Sequence, residues 1–77
     1  MELKIKQDEI KIGDNIRRVR ENKKFGQTEL VRILQLQGTD ITRETLVKIE
    51  RGIQHIKATQ LKAIRDALST TYDELLK

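Results

Sequence analysis

The apolar residues of this chain recur at helical spacing almost everywhere after residue 8. Ile12, Ile16 and Val19 follow one another at i, i+4 and i+7, which places them on one face of an α-helix. The sequence contains no proline, and its 4 glycines form no hairpin dipeptide. The spacing therefore predicts a first helix that begins at about Asp8 or Ile12 and ends at about Lys23.

Four further helices are predicted, each with apolar residues that share one face. In chain order these inward faces are Leu30, Val31 and Leu34; Leu46, Ile49 and Ile53; Leu61, Ile64 and Leu68; and Leu75 or Leu76. Gly26 can cap the second helix, which should end before Gly38. Thr42 is a good N-cap for the third, which should end at Gly52, and Thr71-x-x-Glu74 is a capping box for the fifth. We predict an all-α fold: a compact bundle of five short helices without a sheet.

The first residues differ from the rest of the chain. Leu3 and Ile5 alternate with Glu2, Lys4 and Lys6, as side chains do on a strand. We predict that residues 1–9 form an N-terminal arm, either flexible or a short strand that pairs with another segment. Residues 10–77 are predicted to be one domain.

Composition excludes several classes of protein. The chain has no cysteine, so it cannot be a disulfide scaffold, a cysteine-based zinc finger or a thiol enzyme. A single histidine, the lack of a glycine-rich phosphate loop and the lack of a paired carboxylate motif argue against an enzyme, and we expect no metal and no cofactor. No apolar run is long enough to cross a bilayer and no secretory signal is recognisable, so we expect a cytoplasmic protein with no membrane partner.

The positive charge of the chain is concentrated in one segment. The net charge is +4, and Arg17–Lys24 carries five basic residues and one acidic residue, which accounts for the whole surplus. Such a patch attracts a polyanion, most plausibly nucleic acid. A solvated helix face is an equally good interpretation of the charge alone.

The third predicted helix has two unlike faces. Leu46 and Ile49 lie on one face, whereas Glu44, Lys48 and Arg51 lie on the other. A helix that packs on one face and presents Arg, Lys and Glu on the other suits the DNA major groove, where Arg or Lys reads guanine and a carboxylate accepts from cytosine.

Four stretches of this sequence together resemble the Cro and phage-repressor type helix-turn-helix family, also called the Xre family. They are Gln27-Thr-Glu-Leu-Val, Ile41-Thr-Arg-Glu-Thr-Leu-Val-Lys-Ile-Glu-Arg-Gly52, Leu61-Lys-Ala-Ile-Arg-Asp-Ala-Leu68 and Tyr72-Asp-Glu-Leu75. The resemblance covers residues 10–77. It implies a lambda-repressor-like fold in which helices two and three form the helix-turn-helix. It also implies a small transcriptional regulator, most plausibly a repressor, that binds double-stranded DNA with helix three in the major groove.

The resemblance also implies roles for individual residues. Base-reading positions correspond to Thr42, Arg43, Glu44 and Lys48. Phosphate contacts correspond to Arg17, Gln27, Thr28, Thr45, Arg51 and Gln54. Glu50 and Arg20 correspond to a structural salt bridge between helix three and helix one. Two alternatives stay open: Gln27 could cap its own helix, and any base-reading residue could contact phosphate or solvent instead.

The sequence departs from the compact members of this family in two places. The stretch from Leu34 to Ile41 is longer than the usual connection of three or four residues, so either helix two is extended or the loop bulges. The loop after Gly52 lacks the proline often found there, and His55 in that loop is interpreted as a solvated residue, with a phosphate contact as the less favoured alternative.

Other functions are compatible with a helical bundle. A protein-interaction module would show an exposed apolar face on helix three, and RNA binding would call for more aromatic residues than Phe25 and Tyr72. Within DNA binding, a phage-type repressor, a restriction-modification controller and an antitoxin remain alternatives. Because one small domain reads few bases, we expect an inverted-repeat operator and a homodimer, at least on DNA. The dimer surface would be helix five with Leu75 and Leu76, or the N-terminal arm.

Overall fold

The computed structural model describes Lys4, Ile5, Gln7 and residues 10–77. Its helices are α1 (Ile12–Asn22), α2 (Gln27–Leu36), α3 (Arg43–Glu50), α4 (Ala58–Ala67) and α5 (Tyr72–Leu75), and its strands are β1 (Lys4–Ile5) and β2 (Ile56–Lys57). The prediction of a compact bundle of five short helices is confirmed for this part of the chain. Of the two predicted starts of the first helix, the structure has the one at Ile12.

A small sheet joins the start of the chain to the loop before α4. β1 pairs with β2 in antiparallel orientation, with Ile5 opposite Ile56 and Lys4 opposite Lys57. Ile56 is fully buried and Ile5 packs against the core, so the alternation of side chains on the strands directs the two isoleucines inward. The prediction of a fold without a sheet is therefore wrong at this place. The alternative of a short pairing strand holds for Lys4 and Ile5, whereas residues 1–3, 6, 8 and 9 of the predicted arm lie outside the described residues.

One hydrophobic core is shared by all five helices and β2. It contains the predicted inward faces of α1, α2 and α4 together with Leu46, Ile49 and Leu75, and it also includes Ile41 and Ile56. Leu75 rather than Leu76 is the fully buried residue of α5, and Leu76 packs at the edge of the core.

Ile53 does not belong to this core, contrary to the prediction. Its side chain is 66% exposed. α3 ends at Glu50, and Gly52 follows with a φ of +76°, which turns the chain out of helical register before Ile53 is reached. Ile56, three residues further on, is the isoleucine of this segment that is buried in the core.

The connection between α2 and α3 is longer than three or four residues, and α2 itself includes the first three residues of the stretch from Leu34 to Ile41. α2 ends at Leu36, and residues 37–42 make the connection. Gly38 adopts a φ of +86°, and the amide of Thr39 donates to the carbonyl of Leu34 at 2.9 Å, which is the glycine-based C-terminal cap of a helix. Gln35 then donates its side-chain amide to the carbonyl of Ile41 at 2.9 Å, and Ile41 is buried. The long turn is thus anchored at both ends.

α1 and α3 approach each other main chain to main chain. A Cβ atom placed on Gly13 would lie 1.9 Å from the carbonyl oxygen of Ile49. Only glycine fits at this position, which lies in the first turn of α1 and faces the end of α3.

No helix in the described part of the chain combines the length and the apolar character that a membrane crossing requires.

Candidate nucleic-acid interface

α3 separates a buried face from an exposed polar face, as its sequence predicts. Leu46 and Ile49 are fully buried, whereas Arg43, Glu44 and Lys48 are exposed. These three predicted base-reading side chains therefore project from one helix of 8 residues into solvent.

Thr42, the fourth predicted base-reading residue, is exposed but has a local structural role. Its hydroxyl oxygen accepts from the amide of Thr45 at 3.1 Å and thereby caps α3. The same hydroxyl donates to the Thr45 side chain at 3.1 Å. Thr42 can therefore reach a base only by sharing or giving up the capping bond.

A buried ion pair holds α1 against α3. Arg20 donates from Nε to Oε2 of Glu50 at 2.7 Å and from Nη2 to Oε1 at 2.9 Å, which is the predicted structural salt bridge. Arg20 is 7% exposed and Glu50 4% exposed. The hydrogen bond to Glu50 raises the pKa of Arg20 above its ordinary value, against the opposing effect of burial. The guanidinium also donates from Nη1 to the carbonyl of Phe25 at 2.8 Å, so it ties the loop before α2 into the same network.

Gln27 completes this network from the first position of α2. Its side-chain amide donates to Oε1 of Glu50 at 3.0 Å. The cap of α2 is made by another residue, because Glu29 accepts from the amide of Gly26 at 3.3 Å. Gln27 is thus held at the junction of three helices by a bond that sequence reasoning did not foresee.

A surface cleft opens beside this junction. It has a volume of about 330 Å³. Its lining includes three of the predicted phosphate-contacting residues, Arg17, Gln27 and Arg51, together with the Arg20–Glu50 pair. Gln27, the first residue of α2, lines the cleft, and the N-terminus of a helix favours an anion, although the carboxylate-bearing Glu21 lines the cleft as well. The geometry can accommodate a phosphate between α1, α2 and the end of α3.

The other predicted phosphate-contacting residues lie outside that cleft. Thr28 is exposed in the first turn of α2, and Thr45 is half-buried beside Thr42. Gln54 lines a separate cleft of about 320 Å³ with Lys4 and Lys57. His55 is exposed in the same loop, in agreement with its interpretation as a solvated residue.

The basic segment Arg17–Lys24 is less available than its charge suggests. Arg20 is paired with Glu50, and Arg18 donates to the main-chain carbonyl of Glu74 at 3.0 Å. Arg17 lies 3.6 Å from the carboxylate of Glu21, in an exposed pair. Lys23 and Lys24 are exposed. Of the five basic side chains, Arg20 is buried, Arg18 is half-buried, and the other three are exposed.

Sequence reasoning missed Gln7, which connects three distant segments. Its amide nitrogen donates to the carbonyls of Ile49 and Gln54, both at 3.0 Å, and its carbonyl oxygen accepts from the amide of Gly13 at 2.7 Å. The only signal in the sequence is Gly13 itself, a poor helix former placed inside a predicted helix. A glycine there indicates a close approach but does not identify what approaches.

In the part of the chain that the structure describes, no group of three or more His, Asp or Glu side chains could hold a metal ion. In comparisons with known proteins, the chain matches no protein family, no curated protein and no solved structure.

Proposed function

We propose that this protein binds double-stranded DNA in a sequence-specific manner, as a small transcriptional regulator with a helix-turn-helix formed by α2 and α3. One observation carries the proposal: α3 is fixed to the body by Leu46, Ile49 and Glu50 and presents Arg43, Glu44 and Lys48 to solvent. Side chains of these types on a rigidly held helix suit the donors and acceptors of the major groove.

The cleft beside α3 supports the same function. Arg17, Gln27 and Arg51 converge there at a helix N-terminus, so a DNA phosphate can be bound while α3 enters the adjacent groove. Phosphate contacts fix the register of a protein on the duplex, and base contacts then determine sequence preference. The lambda-repressor-like fold and membership of the Cro and phage-repressor type family are part of this proposal.

We further propose that two copies act together on an inverted-repeat operator and that the effect is repression. A single copy with three or four base-reading side chains reads too few bases for a unique site. Leu75, one of the dimer contacts suggested by the sequence, is fully buried within the protomer and is unavailable for this purpose. The N-terminal arm was the other suggested dimer surface. Its strand β1 is already paired along one edge with β2 of its own chain, so that edge is unavailable to a second copy.

Two measurements test the proposal. Affinity for a mixed-sequence duplex should fall steeply as salt is raised, because each phosphate contact releases a counterion. Selection from random duplex should return an inverted repeat. Lys48→Ala should relax the preference at one base pair in each half-site, by about 1–3 kcal/mol of discrimination. Lys62→Ala, an exposed lysine on α4, is the matched control and should leave the selected sequence unchanged.

The proposal fails if the protein does not bind duplex DNA at low salt. It also fails if selection enriches no sequence while a partner protein co-purifies in stoichiometric amount. That second result would favour a protein-interaction module, or an antitoxin whose principal partner is a protein.

A further inference from the structure

The small sheet places two lysines directly opposite each other. Lys4 on β1 is the register partner of Lys57 on β2. The neighbouring pair, Ile5 and Ile56, faces the core, so the alternation of the strands turns both lysines to the opposite, outer side. Residues opposite each other in an antiparallel pair have Cβ atoms about 5 Å apart, and like charges on directly opposite residues are unfavourable.

No acidic side chain relieves this repulsion within the described part of the chain. Neither Lys4 nor Lys57 forms an ion pair with a carboxylate among these residues. Two uncompensated ammonium groups on adjacent strands make a concentrated positive charge. An anion that lies between the two groups would be attracted to both.

The backbone around the two lysines is fixed. Gln60, which is buried, accepts from the amide of Lys57 at 3.0 Å. Two residues after β1, the side chain of Gln7 donates to the carbonyl of Gln54 and accepts from the amide of Gly13. The lysine stems therefore start from defined positions, which lowers the entropy lost when they bind a ligand.

The two lysines line an open cleft of about 320 Å³ together with Gln54, His55, Ile53 and Gln60. This cleft begins three residues after α3 and is separate from the cleft lined by Arg17, Gln27 and Arg51. Apart from Ile53, its side chains carry donors of the kind that bind phosphate oxygens: two ammonium groups, two amides and an imidazole.

We propose that Lys4 and Lys57 form a second phosphate-binding site, which contacts the DNA backbone beyond the end of α3. This inference rests on the proposed DNA binding and adds to it a contact from the N-terminal strand. DNA is favoured as the source of the phosphate because Gln54 in this cleft and Arg51 in the other lie on either side of Gly52, at the end of the helix proposed to enter the groove.

The first test measures affinity for a short mixed-sequence duplex over a range of salt concentrations. We expect Lys57→Gln to lower the slope of log affinity against log salt by about 0.9, as the loss of one phosphate contact does, and Lys4→Gln/Lys57→Gln to lower it by about 1.8. Lys62→Gln removes the same charge from an exposed position on α4 and should leave the slope as it is.

A second variant separates binding from folding. Lys4→Glu replaces a repulsive cross-strand pair with an attractive one, so the Tm should rise by a few degrees. The same substitution removes the ammonium group at position 4 and places a carboxylate opposite the ammonium group of Lys57. Duplex affinity should therefore fall. If Lys4 affected DNA binding only through the stability of the fold, the Tm and the duplex affinity would change in the same direction.

Each outcome decides one of the two proposals. If wild-type protein binds duplex with a steep salt dependence and the Lys4 and Lys57 variants behave like Lys62→Gln, the second site is overturned and DNA binding stands. If wild-type protein does not bind duplex at low salt, the proposed function is overturned and this inference falls with it.

Discussion

Arg20 and Glu50 form a bidentate ion pair across 30 residues of sequence, with N–O distances of 2.7 and 2.9 Å. The pair joins α1 to the last residue of α3, and both side chains are buried. Gln27 adds a third hydrogen bond to the same carboxylate. The carboxylate thus has a partner for each of its two oxygens, as a charge in the interior requires.

Removal of the Glu50 carboxylate should destabilise the whole domain. In Glu50→Ala the guanidinium of Arg20 would remain buried without its partner, and we expect a loss of about 3–5 kcal/mol in the free energy of unfolding. Chemical denaturation measures this loss. Glu21→Ala is the control, because its pair with Arg17 is exposed and should contribute less than about 1 kcal/mol. An unchanged unfolding free energy in Glu50→Ala, with only DNA affinity reduced, would contradict the structural role.

Gly13 should tolerate no side chain. Glycine to alanine inside a helix ordinarily stabilises a protein by up to about 1 kcal/mol. Here the added Cβ would lie 1.9 Å from the Ile49 carbonyl oxygen, which belongs to the main chain and cannot swing aside. We expect Gly13→Ala to be destabilising by several kcal/mol in thermal unfolding.

Gly26→Ala is the control for that substitution, since a Cβ at Gly26 meets nothing within 4 Å. Alanine is a poorer N-cap than glycine, so the control should lose no more than about 1 kcal/mol. If both variants unfold at the same temperature, α1 and α3 do not approach as closely as described.

The side chain of Gln7 should protect the start of α1. Its carbonyl oxygen accepts from the amide of Gly13, and its amide nitrogen donates to two main-chain carbonyls. Gln7→Ala therefore leaves three main-chain groups without this hydrogen-bond partner. We expect a loss of about 1–3 kcal/mol and faster hydrogen exchange at the Gly13 amide. Gln37→Ala, at an exposed position after α2, should change neither quantity. Unaltered exchange at Gly13 in Gln7→Ala would show that this bond does not protect the amide.

Truncation of Ile56 should lower the free energy of unfolding far more than truncation of Ile53. Ile56 is 0% exposed, so Ile56→Ala should cost about 2–5 kcal/mol through lost burial and the cavity left behind. Ile53 is largely exposed, and Ile53→Ala should stay within about 0.5 kcal/mol of wild type. Urea denaturation of the two variants measures these losses. A larger loss of unfolding free energy in Ile53→Ala than in Ile56→Ala would support the prediction from sequence that Ile53 lies on the inward face of the third helix.

These two residues also show how far the sequence determines the fold. Helical periodicity predicted the first four helices because the pattern is local: each turn of helix buries its own residues, such as Leu30 and Leu34. The fifth, which has 4 residues, was predicted from its capping box. The end of the third helix near Gly52 was predicted, but the same pattern placed Ile53 inward, since periodicity does not show where the chain points after the positive φ of Gly52.

Contacts between distant segments were predictable only where a chemical requirement called for a partner. Glu50 lies close to the apolar face of α3, and a buried carboxylate demands a cation, so its pairing with Arg20 could be anticipated with help from the family resemblance. The pairing of Lys4 and Ile5 with β2 carries no such requirement. The alternation of side chains at the start of the chain allowed a strand there, but β2 has two residues, too few for a pattern that would identify it as the partner. The bonds of Gln7 go to main-chain atoms that every residue possesses.

The contact of Gly13 with Ile49 has a consequence for how such a protein can change over generations. The orientation of α3 relative to α1 is set where two main chains meet, and no exposed side chain takes part in that contact. Exchange of Arg43, Glu44 or Lys48 would therefore leave the helix axis in place. If α3 binds DNA as proposed, a lineage with this framework could acquire a new target by altering these positions alone, while the parts that orient the helix stay constant.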